Sequence, residues 1–342
     1  MSTPDDAPGI NIGTRRSALA LRQTELVIGA LRAAHPHATF HVRAMATMGD
    51  RDTTTPLPAL GKGLWTTELE AQLAAREVDL IVHSLKDMPT ALPAGCILGC
   101  VTAREDPRDV LVLNDKHAAE GRYKTLGDLP EGAVVGTSSV RRAAQLRRRY
   151  PGLVFKDVRG NIETRLRKCD EEGYDAIILA AAGLLRMGYG ARIAQYLDSS
   201  TTGGGLLHAV GQGALGLEVR EDDERMKSML KALEDAPTMT ACFAERSVMR
   251  TLEGGCSVPI GVETEWVEED KKKKLRLRAV VVSLDGKQAV EGERTREVNS
   301  LDEAEAMGKE LAVELSGMGA QQILDHINKG RESGAALKVG DA

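Results

Sequence analysis

From Asp79 to Pro89 the sequence runs Asp-Leu-Ile-Val-His-Ser-Leu-Lys-Asp-Met-Pro. Leu80, Ile81 and Val82 form a short, β-branched-rich apolar run directly after a helical pattern, which is how a strand buried in a parallel sheet reads. Pro89 stops it. Open α/β sheets bind ligands outside the carboxyl ends of such strands, so Lys86 and Asp87 are expected at a binding rim. A carboxylate held there can stabilise a cation forming on a substrate, and the neighbouring ammonium can pair an anionic substituent. The same two residues also read as a solvated ion pair in a βα loop.

At 342 residues the chain exceeds one ordinary core, and two or three domains are expected. Its longest apolar run, Ala176 to Leu185, is far too short for a bilayer span. Met1 to Gly9 lacks a basic-then-apolar signal pattern and reads as a disordered leader, which favours the cytoplasm. The five cysteines, Cys96, Cys100, Cys169, Cys242 and Cys256, are odd in number and lack the paired spacings of a zinc site. Reduced thiols and no metal are expected.

The net charge of −5 speaks against a nucleic-acid or membrane-surface protein, but its distribution is uneven. Between Thr137 and Lys168 ten Lys or Arg residues face two acids, Asp157 and Glu163. That local excess of +8 points to a compact polyanionic partner. Only ten aromatic residues occur in the chain, poor material for stacking bases.

Strands are expected at Gly9 to Gly13 and Thr39 to Ala46, with a helix from Ala18 to Ala34 that Ser17 caps. Arg15 then lies on a strand-to-helix turn, where helix N–H groups favour anions; an exposed loop arginine is the plain alternative. The Gly/Pro/Thr-rich segment Thr47 to Lys62 has the length of a mobile loop. A helix from Leu64 to Arg76, with Leu69 and Leu73 on one face, leads into the Asp79 strand. Strands at Ile97 to Thr102 and Asp109 to Leu113 precede a polar linker, Asn114 to Gly127. The order then repeats with strands Ala133 to Gly136, Leu153 to Val158 and Asp175 to Ala180 and helices Val140 to Tyr150 and Ile162 to Glu172. Ala214 to Val219 reads as a buried strand that can rejoin the first lobe. Asp222 to Leu252 is helical, and strand-like runs follow at Val258 to Val267, Leu275 to Leu284 and Lys287 to Val298, with Asp285-Gly286 a hairpin signal. Lys271 to Lys274 reads as a solvated tip, and Leu301 to Asn328 as a closing helix interrupted near Ser316 to Gly319. The expected domains are residues 1–113 with 214–231, residues 114–213, and residues 232–342.

Two adjacent turns, Gly136 to Arg142 and Asp157 to Asn161, combine helix N-termini, hydroxyls and guanidinium groups. With Arg165 one turn on, they present Arg141, Arg142, Arg159 and Arg165 for carboxylate or phosphate, each contact contributing on the order of 1.5–3 kcal/mol. Arg147, Arg148, Arg149 and Arg167 read as surface residues. Cys256, in Leu252-Glu253-Gly254-Gly255-Cys256-Ser257-Val258-Pro259, has little side-chain cover, which suits an exposed thiol or a loop cysteine of no consequence. The other cysteines read as packing residues.

Taken together, these segments closely resemble the porphobilinogen deaminase family. The resemblance spans Ile10 to about Asn328 and is carried by Thr14-Arg15-Arg16-Ser17-Ala18-Leu19-Ala20, Val82 to Pro89, Gly136 to Arg142, Val158-Arg159-Gly160-Asn161 and Leu252 to Pro259. It implies an α/β fold with two lobes like those of type II periplasmic binding proteins and a small α+β C-terminal domain. It also implies a dipyrromethane cofactor attached through a thioether to Cys256. Onto that primer four porphobilinogen units are added, each losing ammonia, before a linear hydroxymethylbilane is released by hydrolysis. Porphobilinogen carries an acetate and a propionate, so the growing chain is the polyanion that the arginine turns call for.

By the same resemblance Asp87 is the catalytic carboxylate, beside the pyrrole N–H groups. Lys86, Asp87, Thr137, Ser138, Ser139, Arg141, Arg142, Arg165 and Gln212 are implied for the cofactor and linear pyrrole intermediates. Arg15, Ser17, Arg159 and Arg186 are implied for incoming substrate, and Lys62 for the mobile loop. Trp65 and Thr67 stand where Phe and Lys are common in the family. A cytoplasmic monomer acting on porphobilinogen, with no nucleic-acid or membrane partner, is expected. Two rival classes share parts of the pattern. A small-anion binding protein would need neither Asp87 nor Cys256, and a DNA-binding regulator would lose affinity steeply with salt.

Overall fold

The computed structural model describes residues 9–48, 65–200, 205–252 and 258–332. Lys62, Cys256 and most of the expected mobile loop lie outside the described residues.

β1 (Ile10–Arg15) buries Ile10 and Ile12 completely. Ser17 ends it by capping α1 (Ala18–Ala34): its hydroxyl accepts from the Ala20 N–H at 3.3 Å. The helix turns Val27, Ile28 and Leu31 onto one sheet face, and the chain returns as β2 (Phe40–Met45). On the other face α2 (Thr67–Ala74) packs through Leu69 and Leu73. β3 (Leu80–Ser84), parallel to β1, is therefore covered on both sides, which explains its apolar run Leu80–Val82. β4 (Cys96–Val101) follows.

The chain leaves this lobe earlier than expected. β5 (Asp109–Leu113), assigned from sequence to the first domain, pairs in the second sheet instead. The crossing is residues 102–108, which belong to no strand. The expected linker after β5 contains α3 (Asp115–Glu120), capped by Asn114, and places Leu126 in the second core.

The second lobe continues with β6 (Val134–Gly136), α4 (Val140–Arg149), β7 (Val154–Lys156), α5 (Ile162–Glu171), β8 (Ala176–Ala180), α6 (Ala181–Arg186) and β9 (Gln195–Leu197). Its sheet order is β7-β6-β8-β5-β9, with β5 antiparallel to β8. β10 (Leu215–Arg220) does return to the first lobe, inserting antiparallel between β3 and β4 to give the order β2-β1-β3-β10-β4. The two crossings run side by side, the Glu105 N–H donating to Gly213 O at 3.1 Å. Gly213 has φ +88°, and a Cβ there would lie 2.3 Å from Glu105 O, so only glycine allows this approach.

The expected helical stretch from Asp222 divides into α7 (Glu224–Leu230) and α8 (Ala236–Thr251), the second capped by Asp235 with Pro237 in its first turn. A three-stranded antiparallel sheet follows, β11 (Ile260–Glu269), β12 (Lys272–Val282) and β13 (Ala289–Arg296). α8, α9 (Leu301–Gly317) and α10 (Ala320–Glu332) complete its core. The lysine-rich tip is shorter than expected. Asp270 and Lys271, both at positive φ, make the turn, whereas Lys272 to Lys274 lie on β12.

All three units meet at one buried ion pair. Arg104, on the outgoing crossing, donates to both oxygens of Glu245 on α8 at 2.7 and 3.0 Å and to Gln212 O on the returning crossing at 2.8 Å. Glu245 also accepts from the Gly211 N–H and from Thr264 on β11.

Candidate active site

β1 and β3 are parallel neighbours, so Arg15 and the residues after Ser84 emerge on the same rim. Leu85–Asp87 forms a single 3₁₀ turn, pinned by buried Leu85, whose N–H donates to Ala214 O at 3.0 Å. That anchor leaves Lys86 and Asp87 partly exposed. Arg15 Nη1 lies 3.9 Å from Asp87 Oδ2. Its guanidinium also covers the Trp65 ring, with Cζ 4.0 Å from the centroid, a cation–π arrangement that limits its orientation. Ser17, expected to bind substrate, uses its hydroxyl as the α1 cap.

The opposite rim is built the same way. β6 and β7 are parallel neighbours, and each ends in a capped helix. Ser139 accepts from the Arg142 N–H at 3.4 Å to cap α4, while Thr137 Oγ1 accepts from the Ser139 N–H at 3.2 Å. Asn161 caps α5, accepting from the Thr164 N–H at 2.8 Å. Ser138 ties the two turns together, donating to Val158 O at 2.9 Å and accepting from the Val158 N–H at 3.1 Å. At Gly160, φ +121°, a Cβ would meet Thr164 at 2.7 Å, so only glycine allows the turn that brings Arg165 Nε to Gly160 O at 2.7 Å.

Arg141 and Arg142 are buried and share one carboxylate, Asp109. Arg186, at the end of α6, donates to Gly213 O at 2.7 Å and so holds the returning crossing. Gln212 is wholly buried; its Nε2 donates to Pro107 O at 2.7 Å and to Asp109 Oδ1 at 2.9 Å. Since both partners are acceptors, the amide orientation is fixed, and Oε1 is left without a partner among the described residues. Arg148 and Arg167 pair with Glu291 and Glu171 as exposed helix-surface residues, but Arg147, expected at the surface, is half-buried: it donates to Leu284 O of the third unit at 2.8 Å, and burial lowers its pKa.

Electrostatics join the two rims. Withdrawal from water pushes the Lys86 ammonium down to about 8, with Asp87 opposing the shift, Arg142 and Arg141 adding to it, and Asp109 also opposing. Arg165 falls to about 10, first through withdrawal from water and then through Arg142, while Asp87 opposes. Burial raises the Asp109 carboxyl, but Arg141 and Arg142 more than reverse this and hold it well below the carboxylate range. Lys86 and Asp87 of one lobe thus share a field with Arg141, Arg142 and Arg165 of the other. A cationic cleft facing one partly exposed carboxylate can bind a polyanion while stabilising positive charge at a single point.

The sequence model described as porphobilinogen deaminase, dipyromethane cofactor binding domain, matches residues 10–228, and that of the porphobilinogen deaminase C-terminal domain matches residues 239–317. The chain belongs to the porphobilinogen deaminase family. A porphobilinogen deaminase of Neurospora crassa is 67% identical over 97% of this chain and 98% of its own length. One from Yarrowia lipolytica is 51% identical over 94% of each. Among solved structures, the periplasmic aliphatic sulphonate binding protein of Escherichia coli aligns with 72% of this chain and 71% of its own at 12% identity and a TM-score of 0.38. As a member of this family the chain is a transferase of tetrapyrrole biosynthesis, with a domain for the dipyrromethane cofactor.

The residues present fit that group. A dipyrromethane offers carboxylates and pyrrole N–H donors; the cleft offers guanidinium groups and an ammonium for the former and the Asp87 carboxylate for the latter, and Gln212 Oε1 is a buried acceptor left without a partner among the described residues. The local sequence reading missed Asp109 and the stacking of Arg15 on Trp65. An acid immediately before the buried run Val110-Leu111-Val112-Leu113 was a readable signal for Asp109. Trp65 is one of only two tryptophans, but nothing local names its partner.

Proposed function

We propose that Asp87 is the catalytic carboxylate of a stepwise hydroxymethylbilane synthesis primed by dipyrromethane on Cys256. The observation that carries this reading is the placement of Asp87 beside Arg15 on one rim, within the field of the arginines on the other. When bound, the cofactor supplies the nucleophilic pyrrole carbon onto which the chain grows. Arg15, with Arg159 and Arg186, receives the carboxylates of incoming porphobilinogen, and Trp65 keeps the Arg15 guanidinium in place. The Asp87 carboxylate stabilises the positive charge that develops on the substrate as ammonia departs, and it accepts the proton lost from the pyrrole carbon that has formed the new bond, so that this attacking ring regains aromaticity. Lys86, Arg141, Arg142 and Arg165 hold carboxylates of the cofactor and of the lengthening chain. Thr137, Ser138 and Ser139 shape the turn that presents them, and Gln212 accepts from a pyrrole N–H. After four additions, hydrolysis releases the linear product.

We further infer a cytoplasmic monomer. Support for a reducing compartment comes from four buried free thiols, Cys96, Cys100, Cys169 and Cys242.

Intact mass under denaturing conditions, compared with Cys256→Ser, tests the reading. The expected result is an excess equal to two deaminated porphobilinogen units that is absent from the variant. A bare polypeptide mass in both, persisting after incubation with porphobilinogen, would overturn it in favour of simple anion binding.

A further inference from the structure

Asp109 opens β5 and is completely buried where the two crossings meet. Its Oδ1 accepts from Arg142 Nε at 2.9 Å, Arg142 Nη2 at 2.6 Å and Gln212 Nε2 at 2.9 Å, and its Oδ2 accepts from Arg141 Nη1 at 2.6 Å. Each guanidinium has a second anchor on backbone. Arg141 Nη1 also donates to Leu207 O at 2.7 Å, and Arg142 Nη1 donates to Ile178 O at 2.9 Å.

Two consequences follow from this cage. A guanidinium is a rigid planar fork, so holding both N–H groups of one nitrogen fixes the direction of the remaining donors; Arg141 is held through Nη1 and keeps Nε and Nη2 without an acceptor among the described residues. One carboxylate against two guanidinium groups also leaves a single positive charge in excess within the ion-paired cluster. Without Asp109, two buried cations would lie side by side and repel, each held only by its single backbone acceptor. With a second acid, no charge would remain for a ligand.

We propose that Asp109 is a positioning residue for ligand carboxylates, which fixes Arg141 and Arg142 in one orientation and leaves one uncompensated positive charge, matched to a single carboxylate of the cofactor or growing chain. The inference rests on the reading that this cleft holds the dipyrromethane cofactor. Asp109 itself touches no ligand in this scheme; it acts through the two arginines and through Gln212, whose amide it orients.

The test compares wild-type protein with Asp109→Asn, which keeps the shape of the side chain and removes its charge. Circular dichroism reports the fold, and intact mass reports both cofactor occupancy and the distribution of enzyme-bound intermediates after limiting porphobilinogen. The expected result is a folded variant whose occupancy falls at least about fivefold and whose loaded fraction accumulates partly elongated intermediates. A variant with only a lower unfolding midpoint, but full occupancy and the wild-type distribution of intermediates, would show that Asp109 is merely structural. If Asp109→Asn yields no folded protein, Arg142→Lys decides, because it keeps the charge and loses the fork: reduced occupancy supports positioning, and wild-type behaviour overturns it. Wild-type protein devoid of cofactor would instead overturn the underlying reading of the cleft, and this proposal with it.

Discussion

Arg15 and Asp87 belong to different strand ends, yet Arg15 Nη1 lies 3.9 Å from Asp87 Oδ2. That separation is long for a hydrogen bond and still within reach of electrostatic attraction between two partly exposed side chains. Asp87 is therefore balanced by a nearby cation without being locked to it. Its carboxylate stays available to a cationic group.

Replacing Asp87 by Asn retains the volume and removes the charge. Turnover is expected to fall on the order of 10²- to 10⁴-fold, while circular dichroism and the cofactor mass stay unchanged. Near-normal rates of product formation would remove Asp87 from the mechanism.

Arg141→Leu leaves Asp109 paired with Arg142 and Gln212, so the fold should persist. A charged hydrogen bond to a ligand carboxylate contributes about 1.5–3 kcal/mol, and cofactor assembly or retention is expected to drop accordingly, by about 10- to 100-fold. Intact mass checks this directly. A fully loaded, active variant would mean that this turn has no part in holding the cofactor.

Lys86 makes the cleft sensitive to mildly alkaline pH. Burial brings its folded pKa down to about 8, whereas an unfolded lysine titrates near about 10.4. Between these values the unfolded chain keeps a proton that the folded chain has released, so this group's contribution to stability rises with pH across that window. Ligand binding changes in the opposite sense, because the neutral amine no longer attracts carboxylates. The value of kcat/KM for porphobilinogen is expected to decline as pH passes through about 8, and Lys86→Arg should flatten the profile there. Identical profiles for the two proteins would separate Lys86 from carboxylate binding.

The Arg104–Glu245 pair joins both crossings to the third unit, and Glu245 is wholly buried. Arg104→Met strands that carboxylate, which typically costs about 3–5 kcal/mol. Chemical denaturation should show a markedly lower midpoint, and cofactor-loaded protein should lose activity with the fold. A change confined to kinetics, with unaltered stability, would instead place Arg104 in the catalytic cleft.

Much of the secondary structure was legible because it is locally encoded. Ser17, Ser139 and Asn161 cap helices where a polar residue precedes a 3.6-residue pattern, and the apolar runs at β3, β5 and β8 read directly as buried strands. The domain crossing was not legible. Asp109 to Leu113 looks alike in either sheet, since a strand buried on both faces carries no mark of its neighbours, and only pairing with β8 and β9 assigned it to the second lobe.

The chemistry divided along the same line. By itself the sequence determined which residue types stand at which strand ends: Arg15, Lys86 and Asp87 after one pair of strands, and the hydroxyls and arginines after another. Those positions follow from local hydrogen bonding and periodicity. Tertiary structure alone decided which charges meet. Asp109 finds Arg141 and Arg142 some thirty positions away, Arg104 finds Glu245 at a separation of 141 residues, and Arg15 finds the Trp65 ring. The reason is physical. Each of these contacts is created by the packing of a strand, crossing or helix against an element distant in the chain, and no local pattern records that packing.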